Sequence, residues 1–176
     1  MNIETRIETV LRRRFGRVDI LESRSVEGEE RLMLKSRHLV DALRFLQSDP
    51  DTQIDILTDI SAIHHIKNAK SCIYSLRNSF PCFEVFYLLR STRLDYRLRL
   101  SIFVPEHLPS VPSLTNLFQN SEWLEREIWD LFGIWVEGQP HLRRLLLYQS
   151  FIGHPLRKEY DAQQAQPIVP IKGHYR

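Results

Sequence analysis

From Tyr96 to Val104 the chain alternates without a break, with Tyr96, Leu98, Leu100, Ile102 and Val104 on one parity and Arg97, Arg99, Ser101 and Phe103 on the other. A period of two sends successive side chains to opposite faces of an extended chain, so the segment predicts a half-buried strand. Just before it, Phe83–Arg90 is apolar almost throughout, the pattern of a central strand. Thr92 to Asp95 supply the hairpin turn between the two. A chain obliged to bury this pair is committed to a sheet with a covering layer.

The flanking segments supply that layer. Residues 2–14 set Ile3, Ile7, Val10 and Leu11 on one helical face, with Asn2 as N-cap and Gly16 past the end. Val18–Ser25 and Arg31–Lys35 read as short strands joined by the polar turn Glu27–Glu30. Ser36 is placed to cap a second helix bearing Leu39, Leu43 and Leu46, stopped before Asp49-Pro50. Gln53–Ile60 alternates Ile54, Ile56 and Thr58 against Asp55, Leu57 and Asp59, again a strand. Residues 61–79 fit helical turns and a structured loop equally. The expected fold class is α+β: a two-layer sandwich of a five-stranded mixed sheet with two helices on one face, followed by a helix and an extended C-terminal arm. Its expected core is Ile7, Leu11, Leu43, Ile56, Val85, Tyr87, Leu98 and Leu100. By composition the chain divides into an α+β domain over residues 1–104, a region with one helix and charged turns over 105–160, and a tail over 161–176, one structural domain overall.

Composition removes several function classes. Two cysteines among 176 residues form no disulfide framework and hold no iron–sulfur cluster. A net charge of +2 is far below the basic excess of most nucleic-acid-binding domains. The longest run without a formal charge, residues 107–121, is broken by Pro109, Pro112 and seven polar side chains, well short of the ~20 apolar residues of a membrane span. The first residues show no apolar secretion core and no acid-poor transit pattern. No glycine-rich phosphate loop follows a strand, no nucleophile elbow is present, and no histidine pair has metal-ligand spacing. No catalytic, cofactor-binding or metal residue is therefore expected.

The informative region begins at Ser121. Ser121–Phe132 is a predicted helix, with Ser121 as N-cap and Gly133 as its left-handed stop. Leu124, Ile128 and Leu131 form its apolar stripe, while Glu122, Arg126 and Asp130 make an acid–base–acid ladder at i, i+4 and i+8. Trp129 falls on the charged side, where it needs cover from this chain's own loops or from another protein. Residues 121–137 carry five acids against one base; residues 138–158 carry four bases and no acid. Such adjacent blocks either pair with each other or face a partner.

Three runs then stand in order: Trp123-Leu124-Glu125-Arg126-Glu127-Ile128-Trp129-Asp130-Leu131-Phe132-Gly133-Ile134, Gly138-Gln139-Pro140-His141-Leu142-Arg143-Arg144-Leu145-Leu146, and Gly153-His154-Pro155-Leu156-Arg157-Lys158-Glu159-Tyr160. Together they resemble the C subunit of NADH:quinone oxidoreductase, the thirty-kilodalton subunit family of respiratory complex I. Gln139 and His141 depart from the family's Gly-His-Pro-Asp, and Phe151-Ile152 from its usual Trp and acid. The resemblance implies a non-catalytic core structural subunit of the hydrophilic arm of the proton-translocating enzyme, supporting electron transfer from NADH to quinone. It implies that flavin, iron–sulfur clusters and quinone lie on partner subunits and none on this chain. Its partners would be the large hydrogenase-like D subunit and other hydrophilic-arm subunits, with no nucleic acid and no direct membrane insertion. It would sit peripherally on the cytoplasmic side of a bacterial inner membrane, or on the matrix side if organelle-encoded. The subunit-interface residues expected are Glu125, Arg126, Glu127, Trp129, Asp130, Arg143, Arg144, His154, Arg157 and Lys158. Two other readings are the equivalent subunit of a membrane-bound hydrogenase or ferredoxin-dependent complex, and a basic nucleic-acid-binding module using Arg97, Arg99 and the C-terminal bases.

Overall fold

The computed structural model describes residues 3–15, 20–26, 29–65 and 82–168. Helix α1 (Ile3–Phe15) leads into strands β1 (Ile20–Val26) and β2 (Glu29–Leu34). Helix α2 (Leu39–Ser48) precedes three long strands, β3 (Ile56–His65), β4 (Cys82–Ser91) and β5 (Tyr96–Pro105). These five strands form one sheet in the order β1-β2-β5-β4-β3. It is mixed, as expected, because β2 runs parallel to β5 and every other pairing is antiparallel. The Asn2 cap, Gly16, the Glu27-Gly28 turn, residues 66–81 and the tail beyond residue 168 lie outside the described residues.

Register decides which side chains meet the helices. Opposite one another on β4 and β5 stand Phe83 and Val104, Val85 and Ile102, Tyr87 and Leu100, and Leu89 and Leu98. All eight are buried, and they share one core with Ile7 and Leu11 of α1 and Leu39, Ala42, Leu43 and Leu46 of α2. Seven of the eight expected core residues belong to it. Ile56 does not: it is 42% exposed, while Leu57 beside it is buried. The register of β3 shifts between Leu57 and Asp59, where a bulge inserts one residue and exchanges the two faces of the strand. Within β3 the even-numbered positions therefore point inward only beyond the bulge, at Ile60, Ala62 and His64.

Two expected caps are also corrected. Residues 36–38 form a 3-10 turn, so α2 starts at Leu39 with His38 as its N-cap and no side-chain cap from Ser36. Helix α3 spans Ser121–Phe132 with Asn120 as N-cap, and Ser121 is already inside the helix. The Asn120 amide donates instead to the carbonyl of Leu57 at 2.7 Å, tying the start of α3 to β3. Pairing of β6 (Ser110–Pro112) with β7 (Trp135–Glu137) adds a small parallel sheet that the prolines hid from the sequence. Phe132 meets Phe83 of β4 edge-on with ring centres 6.4 Å apart, so α3 joins the same core.

Candidate functional site

The helix α3 is fastened on three sides by its charged residues. Glu125 is buried and accepts hydrogen bonds from the Leu114 N–H at 2.5 Å, the Ser113 hydroxyl at 2.8 Å and the Gln139 amide at 3.1 Å. Desolvation outweighs these donors and holds its carboxyl above the ordinary range. Gln139 also donates to the Glu122 carbonyl and accepts from the His141 N–H, so the residue that departs from the family pattern is a working part of the turn. Arg126, the residue after Glu125, donates from Nε to the Arg143 carbonyl and from a terminal nitrogen to the Arg144 carbonyl, each at 3.2 Å.

Asp130 organises the arm. Its Oδ1 receives Arg144 at 2.7 Å, and its Oδ2 receives the backbone N–H groups of Leu145, Leu146 and Leu147 at 2.8–3.0 Å. The side chain is fully buried. Burial alone would raise its carboxyl, but the three amides and the guanidinium together hold it below the ordinary range. Arg144 uses its other terminal nitrogen on the carbonyls of Phe151 and Gly153. One carboxylate and one guanidinium thus fold residues 144–153 around the end of α3. The planar fork suits this task, since it serves several acceptors in fixed directions.

The helix C-terminus is closed the same way. Gly133 adopts φ +71° and its N–H reaches the Trp129 carbonyl. Arg157 donates from Nε to the Phe132 carbonyl at 2.6 Å, His154 Nδ1 lies 2.9 Å from the Asp130 carbonyl, and the Leu156 N–H reaches the Leu131 carbonyl. A Cβ on Gly133 would stand 2.6 Å from the His154 ring and 2.9 Å from Arg157, so the close approach requires glycine. Burial, with Arg157 and Arg144 nearby, lowers the His154 imidazole below its ordinary value. Trp129 is half-buried against His154, with the Arg144 guanidinium 5.9 Å from its ring centre. The arm of this chain supplies the cover that the tryptophan needed.

The ten residues singled out from sequence therefore occupy two kinds of place. Glu125, Arg126, Asp130, Arg144, His154 and Arg157 bond within the chain, and Trp129 packs there. Arg143 and Lys158 point to solvent, and Glu127 is half-buried, its carboxyl raised by burial and by Asp59. The Glu122–Arg126–Asp130 ladder is not used, because the carbonyls and Arg144 of the arm take its middle and last members. Around this frame stand large exposed apolar side chains: Trp123 (57%), Trp135 (55%), Leu146 (62%), Ile152 and Leu156.

Sequence reasoning missed the junction at His64. This buried ring stacks on Phe83 with centres 4.4 Å apart and accepts the Lys158 N–H at Nδ1, 3.0 Å away. Donor atoms of His64, Glu106 and Glu159 lie within 4.8 Å of one another. While the Lys158 N–H occupies Nδ1, the ring offers a metal ion no free nitrogen. With Nδ1 accepting, the ring proton is on Nε2, which then has no lone pair to give.

The family model described as the respiratory-chain NADH dehydrogenase 30 kDa subunit matches residues 32–166. The chain belongs to this family. The C subunit of NADH-quinone oxidoreductase from Roseiflexus sp. is 36% identical over 140 residues, 80% of this chain and 74% of that protein. Subunit 9 of NADH-ubiquinone oxidoreductase from Reclinomonas americana is 37% identical over 76% of this chain and 60% of its own length. The fused C/D subunit of Methylococcus capsulatus is 34% identical over 91% of this chain, which spans only 27% of that longer protein. Among solved structures, a trypsin-resistant fragment of Nqo5 superposes with a TM-score of 0.61 at 26% identity, covering 78% of this chain and 99% of the fragment. A chain of a membrane-bound sulfane sulfur reductase shares the fold, with a TM-score of 0.65 at 16% identity. Within the thirty-kilodalton family, the three charged runs read from the sequence are thus the ones that build the α3–arm frame here.

Proposed function

We propose that this chain is a non-catalytic structural subunit of the hydrophilic arm of a proton-translocating NADH:quinone oxidoreductase, with the large hydrogenase-like D subunit as its main partner. The observation that carries this reading is the division of labour around α3: the buried charges fix the arm, while Trp123 of α3 and Leu146, Ile152 and Leu156 of the arm stay exposed, as do Arg143 and Lys158. Exposed aromatics and arginines are among the residue types enriched where proteins associate, and exposed aliphatic side chains add apolar surface that association can bury. Fusion of the C and D subunits in relatives from Methylococcus capsulatus and Proteus mirabilis supports the same partner. Flavin, clusters and quinone belong to partner subunits in this reading. The described parts of residues 1–104 and 105–160 act as one folding unit, supported by a core that includes both Ile7 and Val136. In this reading the chain attaches peripherally, on the cytoplasmic or matrix side; no helix among the described residues is long and apolar enough to cross a membrane.

Purified alone, the full chain should be colourless, oxidise no NADH with or without a quinone, and carry no stoichiometric iron or flavin. Flavin or iron bound at one per chain, or NADH oxidation by the chain alone, would overturn the non-catalytic assignment.

A further inference from the structure

The His64 ring is 1% exposed and meets three parts of the chain at once. Strand β3 carries it. Glu106, just past β5, places Oε1 3.5 Å from Nε2, and Glu159 of the arm places Oε2 3.1 Å from Nδ1. The Lys158 N–H points at the same Nδ1 from 3.0 Å. One nitrogen therefore has two neighbours with opposite demands. The backbone N–H needs an unprotonated Nδ1; the carboxylate needs a protonated one. At Nε2 the mismatch is one of distance, since 3.5 Å is beyond a good hydrogen bond and the buried atom has no partner within range. The other charged group facing this junction is Arg157, which reaches Glu159 at 3.6 Å and lies over the Phe83 ring that stacks on His64. His65 points to the opposite sheet face and pairs with Glu84, so it takes no part.

We propose that His64 is a proton-operated clasp between the sheet and the C-terminal arm. When the ring is neutral, Nδ1 holds the arm through the backbone N–H of Lys158. When the ring takes a proton, both nitrogens become donors, Nδ1 turns to Glu159 and Nε2 to Glu106, and the Lys158 N–H is released to solvent. The arm stays attached in both states, but its attachment passes from the backbone to a side chain. Charge-assisted bonds then join β3 to Glu106 on one side and to the arm on the other. The inference concerns the chain's own fold and holds whichever subunit the arm meets.

The test is a pH titration of the full chain across the range in which it stays folded. Long-range nitrogen–proton spectra report the His64 ring, and amide exchange, divided by the intrinsic rate at each pH, reports Lys158. At the alkaline end His64 should carry one ring proton, on Nε2, with the Lys158 amide protected at least about tenfold. At the acid end both ring nitrogens should be protonated and that protection lost, with a common midpoint. His64→Asn keeps an acceptor in place of Nδ1 but cannot take the proton, so Lys158 should stay protected throughout. Glu159→Gln removes one carboxylate and should move the midpoint to lower pH. Lys158 protection that does not follow the His64 ring, a ring that keeps one protonation state throughout, or a pH dependence that survives in His64→Asn would each overturn the clasp.

Discussion

Replacing Asp130 by asparagine keeps the shape of the side chain and one acceptor oxygen but removes the charge that Arg144 meets at 2.7 Å. The guanidinium is then left largely buried without a counter-ion, while three backbone N–H groups compete for a single carbonyl. Breaking a buried pair from one side costs about 3–5 kcal/mol. Asp130→Asn should lower the stability of the free chain by that amount at neutral pH, read from denaturant unfolding, and Arg144→Lys should retain little of the wild-type anchoring, because an ammonium cannot reach Asp130, Phe151 and Gly153 together. A loss below about 1 kcal/mol, the value of an exposed pair, would show that Asp130 is not the anchor. This role could not be read from spacing alone. Counting acids and bases found the pairing partners but placed Asp130 in a ladder along α3, since i, i+4 geometry describes an isolated helix. It says nothing of an arm arriving from residues 144–157.

The arm responds to acid as an element, and the directions of its two titrating groups fix the sign. His154 is held below its ordinary value, so the fold favours the neutral ring. Its contribution is present above about pH 6.5 and is lost as pH falls through the lower folded value. Asp130 is held below the ordinary carboxylate value, so its contribution is present above about pH 3.9 and is lost as pH falls further. Glu125 runs the other way: its raised value weakens the turn at Ser113 as pH rises, and so cannot mimic an acid loosening of the arm. Exchange of the Leu145, Leu146 and Leu147 amides, corrected for intrinsic rate, should accelerate in two steps as pH falls from about 7 to about 3. Flat corrected rates over that span would contradict the assignment. At this scale much was legible in the sequence. The period-two run gave β5, the nearly continuous apolar run gave β4, the apolar stripe gave α3, and Gly133 gave its stop. What stayed hidden needed distant partners: the bulge that turns Ile56 outward, the β6–β7 pair across the prolines, and the extension of β3 to the His64 clasp.

Across the whole molecule, charge and apolar surface are sorted into different tasks. The helices and one sheet face make a core that reaches α3 and β7, and six of the ten charged or aromatic positions singled out from sequence bond inside the chain. Trp123, Leu146, Ile152 and Leu156 remain outside with Arg143 and Lys158. Their exposure adds little to the chain's own stability, so variants there separate folding from association. The most direct measurement is co-purification of the full chain with the co-expressed large hydrogenase-like partner in mild detergent, comparing the wild type with the double variant Leu146→Asp and Arg143→Glu, alongside thermal melting of each free chain. The account predicts that the double variant melts within about 2 °C of the wild type and loses at least about tenfold in recovered complex, as burying an unpaired charge at an interface costs several kcal/mol. Full recovery of the complex with that variant, at an unchanged melting temperature, would contradict it.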